Sequence, residues 1–289
     1  MTTIGAVFLP QFPPEQLRSV AQAADEAGLA ELWVWEDCFR ESGIATAAAA
    51  LAWTSRLHLG IGLLPVPLRN VALTAMEAAT LHRLFPGRVL LGVGHGVQDW
   101  MRQVGASVES PVTLLREHLD ALRRLLAGEQ VTTAGRYVRL DGVALDWPPA
   151  GPVPLLAGAE GPRTLRTAGE LADSAILSGG TTPDDVRRAR ALLLEGRGAA
   201  DRTGPAEVTV YVPAATGPGA AERLRAAQER WGMESSPHTG VSGDAAALAG
   251  GVARWAAAGA DRVVLQPTDD EPDPAGFVRV AAEVGRLLR

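Results

Sequence analysis

At 289 residues, with 47% hydrophobic and 21% charged side chains, the chain has ample material for a core, and its net charge of −6 with scattered arginines excludes a basic nucleic-acid or membrane surface. All 27 basic residues are arginine, which excludes Schiff-base chemistry, a pyridoxal lysine and a Walker phosphate loop. The one cysteine, Cys38, leaves no internal disulfide, and the five histidines (His58, His82, His95, His118, His238) show neither His-x-His nor His-Glu-x-x-His spacing, so no metal centre is expected.

The opening MTTIGAVFLPQF carries neither a basic leader nor a small-residue cleavage site, and no run of about 18 apolar residues exists to span a bilayer, so a cytoplasmic protein without membrane partners is expected. Short β-rich runs then recur at about 4–9, 30–35, 57–63, 88–93, 154–158, 174–178, 207–212 and 262–266, each followed by helical periodicity. In the first helix Pro14 suits the first turn, Leu17, Val20, Ala21, Ala24 and Ala27 share a stripe, and Gly28 is the stop. Runs such as Arg88–Val93 and Arg262–Gln266 are apolar almost throughout, as parallel strands covered on both faces require. The segment 130–141 reads as a hairpin turning near Ala134 and Gly135, 146–154 as a proline-rich connector, and Trp231 to Asp244 as an aperiodic, lid-like excursion. In the last helix Phe277, Val280, Ala281, Val284, Leu287 and Leu288 form the buried face.

Eight strand-helix units predict an α/β fold, a (β/α)8 TIM barrel, in one domain over 1–289. The rival doubly wound sheet wants G-x-G-x-x-G after its first strand; that strand ends in Phe8-Leu9-Pro10-Gln11-Phe12, and Gly92-Val-Gly94-His-Gly96 has the wrong spacing.

In a barrel of this kind the chemistry collects at the carboxyl ends of the strands. Those ends read Glu36-Asp37-Cys38, Gly62-Leu63-Leu64-Pro65, Gly94-His95-Gly96, Gly158-Ala159-Glu160 and Ser178-Gly179-Gly180-Thr181-Thr182, with Pro213 and Gln266-Pro267 closing the ring. Glycine and apolar residues dominate, which suits a flat, bulky ligand held by main-chain groups, with a cofactor carrying the reaction. In the unit Pro154 to Gly180 both strands stop on small residues beside the start of a helix, a place that suits an anion or merely a tight turn. A glycosidase pair of Asp37 and Glu160 is the weaker alternative. Trp33 and Trp35 share a strand face and read as packing, and Glu77 as a helix-face contact.

Four segments, Leu32-Trp-Val-Trp-Glu-Asp-Cys-Phe39, Leu59 to Pro65, Gly87 to Gly96, and Gly161-Pro-Arg-Thr-Leu-Arg-Thr-Ala-Gly-Glu-Leu-Ala-Asp173, occur in order at strand ends. In them the chain resembles the luciferase-like monooxygenase superfamily, in particular its branch that uses the deazaflavin coenzyme F420, the methylenetetrahydromethanopterin reductase-like oxidoreductases. The resemblance implies a TIM barrel, a homodimer and a deep pocket for F420, with FMN as the alternative cofactor, and hydride exchange with a small-molecule substrate. FMN monooxygenation and a non-catalytic cofactor-binding barrel are the other readings.

It further implies that Asp37 lies near the tricyclic ring, that Gly62 and Leu63 form a bulge behind it, often with a non-prolyl cis peptide, and that Gly94, His95 and Gly96 flank its edge. Ala157, Gly158 and Ala159 with Ser178, Gly179, Gly180 and Thr181 would receive the phosphate, Arg163 would neutralise phosphate or tail, and Arg69, Arg163 and Arg166 are candidates to line an exit for the charged tail of F420. Asp37, Cys38 and His95 are the implied catalytic groups. Cys38 stands where sugar-phosphate dehydrogenases of the branch carry histidine, and Val97 where they carry an acid, which argues against glucose-6-phosphate as substrate. An isolated thiol after a buried strand is more often packing than chemistry.

Overall fold

The computed structural model describes residues 2–234 and 236–289. Eight parallel strands form a closed ring in chain order: β1 (Thr3–Val7), β2 (Glu31–Val34), β3 (His58–Pro65), β4 (Val89–Gly94), β7 (Leu155–Gly158), β8 (Ser174–Leu177), β9 (Glu207–Ala215) and β11 (Arg262–Gln266). The pairing of β11 with β1 and of β8 with β9 completes the cylinder. The fold is thus the predicted (β/α)8 barrel, with strand limits within three residues of those read from sequence.

The strands are buried on both faces because helices cover the outside and side chains fill the inside. One residue dominates that filling. Trp33 is fully buried, and Gly5 and Gly60 on the flanking strands leave space for its indole, since a Cβ at Gly60 would overlap the ring. Below it the indole N–H donates to Glu31 (2.9 Å), which with Glu207 binds Arg262 in a polar plug. Above it Tyr211 packs edge-on at 6.0 Å.

The helices obey the local signals that predict them. α1 (Leu17–Ala27) ends at Gly28 with φ +73°, a left-handed cap that suits glycine. α2 (Gly43–Ala52), α3 (Val71–Leu84), α4 (Gln98–Gln103) and α5 (Pro111–Leu126) follow. α6 (Pro162–Leu171) and α7 (Pro183–Ala199) cross at two glycines: a Cβ on Gly169 would overlap the Leu193 carbonyl, and one on Gly196 the Arg166 carbonyl. Asp173, just past α6, gathers Arg123, Arg202 and the Leu155 N–H, and these partners outweigh burial to hold its carboxyl below the usual range.

The hairpin is β5 (Val131–Ala134) with β6 (Arg139–Val143), antiparallel. The stretch after α8 (Ala220–Arg230) is more ordered than its aperiodic composition predicts. Thr239 bonds back to Gln228 and to the Glu234 carbonyl, and Val241–Ser242 form a short strand, β10, beside the end of β9. Ser235 lies outside the described residues. α9 (Ala245–Ala257) and α10 (Pro274–Leu287) complete the ring, the latter packing on α1 and β1. No helix among the described residues is long and apolar enough to cross a membrane.

Candidate active site

A cavity of about 610 Å³ opens at the carboxyl end of the barrel. Its floor is made by β3, whose register with β4 slips between Ile61 and Leu64. The Gly62-Leu63 peptide in this bulge is cis, as the family resemblance implies, and so is Cys38-Phe39. Leu63 enters the cavity between two glycines: a Cβ on Gly94 would come within 2.5 Å of its Cδ2, and one on Gly158 would overlap it. Both glycines therefore exist to seat one leucine. The buried Tyr211 hydroxyl donates to the Gly62 carbonyl at 2.8 Å, tying the bulge to β9 across the barrel.

One wall rises from the loop after β2. Trp35 packs on Tyr211 with ring centroids 5.2 Å apart, and Asp37 follows it. Burial pushes the Asp37 carboxyl up, against a hydrogen bond from the Trp35 side chain and the charge of Arg40. Glu36, also on the wall, accepts from Arg69 at 2.6 Å and from the Gly43 N–H at 2.9 Å, while Arg69 reaches Glu77 at 2.5 Å. Burial works against charge on Arg69, but the two carboxylates outweigh it and hold the guanidinium charged. Arg69 is thus a brace within the fold and does not line an exit for a tail. Arg166 serves Glu195 on the helix surface and lines none either.

His95, on the loop after β4, is pushed down by burial against the opposing charge of Glu160, and its Nε2 is buried with no hydrogen-bond partner. It is therefore a neutral imidazole with one ring nitrogen still unpaired. Opposite, Ser178 Oγ donates to Glu160 at 2.5 Å, and Gly161 begins α6 with no side chain capping it. Gly161 and Thr164 face the cavity, so the free first-turn N–H groups border it. A second cavity of about 520 Å³ lies beside the first and shares Glu160, Ser178, Gly179 and Met233 with it; Gly180 and Thr181 are in its wall.

Of the residues singled out from sequence, Asp37, Gly62, Leu63, His95, Gly96, Gly158, Ala159, Ser178 and Gly179 converge on the first cavity, and Gly180 and Thr181 on its neighbour. Gly94 contributes from behind Leu63 and Ala157 is fully buried in β7. Cys38 is in neither wall, and burial with the charges of Glu36 and Asp37 pushes its thiol up, away from the thiolate. Arg163 is exposed on the first turn of α6, outside both walls. Sequence reasoning undervalued Trp35, assigned to packing, and missed Trp100, Tyr211 and Met233. The alternation Trp33-Val-Trp35 signals two aromatic layers, one filling the barrel and one at its mouth; nothing local marks Trp100 or Met233.

Residues 2–276 match the family model described as luciferase-like monooxygenase. Among sequence relatives, a 5,10-methylenetetrahydromethanopterin reductase of Methanolobus tindarius is 32% identical over 72% of this chain and 63% of its own length. An F420-dependent glucose-6-phosphate dehydrogenase of Nakamurella multipartita is 34% identical over 60% of this chain and 55% of its own. The matches thus span less than two thirds of these curated relatives. Among solved structures, an F420-dependent secondary alcohol dehydrogenase in complex with an F420-acetone adduct superposes with a TM-score of 0.88 at 22% identity, over 100% of this chain and 99% of that one, a likeness of fold. The chain belongs to the luciferase-like monooxygenase family.

Proposed function

We propose that this chain is an oxidoreductase that binds the deazaflavin F420 and exchanges hydride between it and a small organic substrate. The observation that carries this reading is the cavity floor: a leucine bulge, seated between two glycines and pinned by a buried tyrosine, at the mouth of a barrel with few ionisable groups. The relative named for F420 supports it over the other cofactor of the family.

The residues present fit such a group. The cavity volume falls in the range of small-molecule and cofactor sites, roughly 300–1,000 Å³. The orphaned Nε2 of His95 and the half-buried Asp37 carboxylate offer polar partners at its edge. Gly179 and Gly180, with the uncapped start of α6, offer main-chain N–H groups for a phosphate, while the Ser178 and Thr181 hydroxyls beside them donate to Glu160 and to the Ser178 carbonyl. When bound, the deazaflavin supplies the hydride donor and acceptor that no side chain of this protein provides.

The protein's own work is alignment. Leu63 sets the height of the ring plane, while Trp35 and Trp100 limit where the second reactant lies. Asp37, whose carboxyl burial pushes up, and neutral His95 are two groups of the cavity wall that can give or take a proton. Cys38 has no part in this reading. We include a homodimer in the proposal, supported by Leu73, Met76 and Leu84, which α3 leaves exposed.

The test is a pair of titrations that follow quenching of tryptophan fluorescence, one with F420 and one with FMN, since Trp35 and Trp100 line the site. Saturable quenching by F420 with weaker quenching by FMN is expected. Tight FMN binding without F420 binding reverses the choice and favours the monooxygenase chemistry for which the family is named. Bound F420 with no turnover of enones, imines, aldehydes or alcohols supports a non-catalytic barrel.

A further inference from the structure

The cavity is apolar and aromatic on its sides and carries carboxylates without a single cation. Trp35, Trp100, Val97, Ile176 and Met233 give it an oily wall, and its ionisable groups are Glu36, Asp37, Glu160, His95 and the buried Tyr211. Burial and its unpaired Nε2 keep His95 neutral. Three arginines near the walls are turned elsewhere. Arg69 is consumed by Glu36 and Glu77, exposed Arg40 points to the Pro10 carbonyl, and Arg188, in the neighbouring cavity, pairs with Asp185. The sequence has no lysine, and Arg163, exposed on the first turn of α6, lies outside both walls, at the edge that the proposed function gives to the cofactor phosphate.

An anionic group entering this space loses its water, meets like charge at Glu160 and Asp37, and gains no counter-ion. An uncharged group loses little, and a cationic one is attracted both by the carboxylates and by the indole faces of Trp35 and Trp100. A cofactor phosphate would escape this penalty at the uncapped, exposed start of α6, where main-chain N–H groups and water would meet it at the edge of the cavity.

We infer that the second ligand of this cavity, the substrate in the proposed reaction, is an uncharged or cationic molecule with an aromatic or otherwise apolar body, and that phosphorylated and carboxylated molecules are rejected. The inference rests on the proposed function for the presence of a cofactor beside that ligand, but the charge selection itself resides in the protein wall. It sets this chain apart from a relative named for glucose-6-phosphate, whose substrate carries a phosphate.

The test uses four probes of one shape: 2-naphthalenemethanol, 2-naphthylmethylammonium, 2-naphthoate and 2-naphthyl phosphate. Each is titrated calorimetrically into the purified protein, with and without F420. The alcohol and the ammonium are expected to bind at least about tenfold more tightly than either anion. Trp100→Ala weakens the alcohol by about fivefold or more, and Val97→Arg, at the exposed rim, narrows the gap between alcohol and phosphate by about tenfold. Anions binding as tightly as the alcohol, or none of the four binding below about 10 mM, overturns the inference. Failure of F420 to bind while the probe order holds rejects the proposed function and leaves the charge selection standing, so the two failures are separable.

Discussion

At the residue scale, the site depends on small residues as much as on reactive ones. Gly158→Ala forces the Leu63 side chain out of its seat and into the cavity, and because that side chain has room to move, the fold survives. We expect F420 affinity to fall by about tenfold or more with a melting temperature within a few degrees of the parent, measured by fluorescence titration and calorimetry. A single buried histidine gives a second prediction. Burial pushes His118 down to about 4, helped by the nearby positive charge of Arg69, and its Nε2 has no partner. Between the unfolded value near 6.5 and about 4, the unfolded chain takes up a proton that the folded one refuses. Its contribution therefore leaves stability unaffected above pH 6.5, removes about 3 kcal/mol as the pH falls to about 4, and is constant below that. Burial also pushes His82 down to about 4, so His118→Phe should cut the slope of unfolding free energy on pH across that window by about half; an unchanged slope assigns acid lability to other groups.

Much of this was readable beforehand at the level of residue type and not at the level of partner. Gly94 and Gly158 stood out as glycines at strand ends, yet what they admit is Leu63 and not a ligand directly. Arg69 was legible as a cation near the strand-three end, but its direction was not. Two glutamates, one of them on α3, claim it, and such a tertiary pairing leaves no trace in spacing.

At the element scale, two contacts hold the loops that form the rim. The brace Glu36–Arg69–Glu77 joins the loop after β2 to α3, with Glu36 and Arg69 nearly buried. Arg69→Met leaves Glu36 as an uncompensated half-buried charge, and a loss of about 3 kcal/mol in unfolding free energy is expected, with cofactor affinity falling as the Asp37 loop loosens. Denaturant unfolding measures the first effect and F420 titration the second. The α6–α7 crossing is tighter still, because Gly196 faces backbone and not a yielding side chain. Gly196→Ala should cost about 2 kcal/mol and lower the melting temperature by about 5 °C. Helix α6 was recognisable from its amphipathic run and from Pro162 in its first turn. The 231–244 excursion was not, since its order comes from the tie of Thr239 back to Gln228 on α8 and from the long-range pairing of Val241 with Ala214.

At the scale of the whole molecule, the apolar strands at regular intervals gave the cylinder away, because only parallel strands covered on both sides read so uniformly. What the periodicity did not reveal is how the cylinder is divided. Its lower half is closed by Trp33 and the Glu31–Arg262–Glu207 plug, and its upper half is left open above Leu63. That division is what makes the carboxyl end a receptacle. If α3 forms the dimer face, Met76→Arg should convert the protein to a monomer in sedimentation equilibrium without unfolding it.

If the Leu63 bulge is the seat of a planar redox ring, a crystal grown with F420 will show it. The tricyclic ring is expected against Gly62 and Leu63, its edge at Asp37 and His95, and its phosphate beside Ser178, Gly179 and the start of α6. A ring bound elsewhere, or a bulge from which Leu63 must withdraw to admit it, rules that seat out.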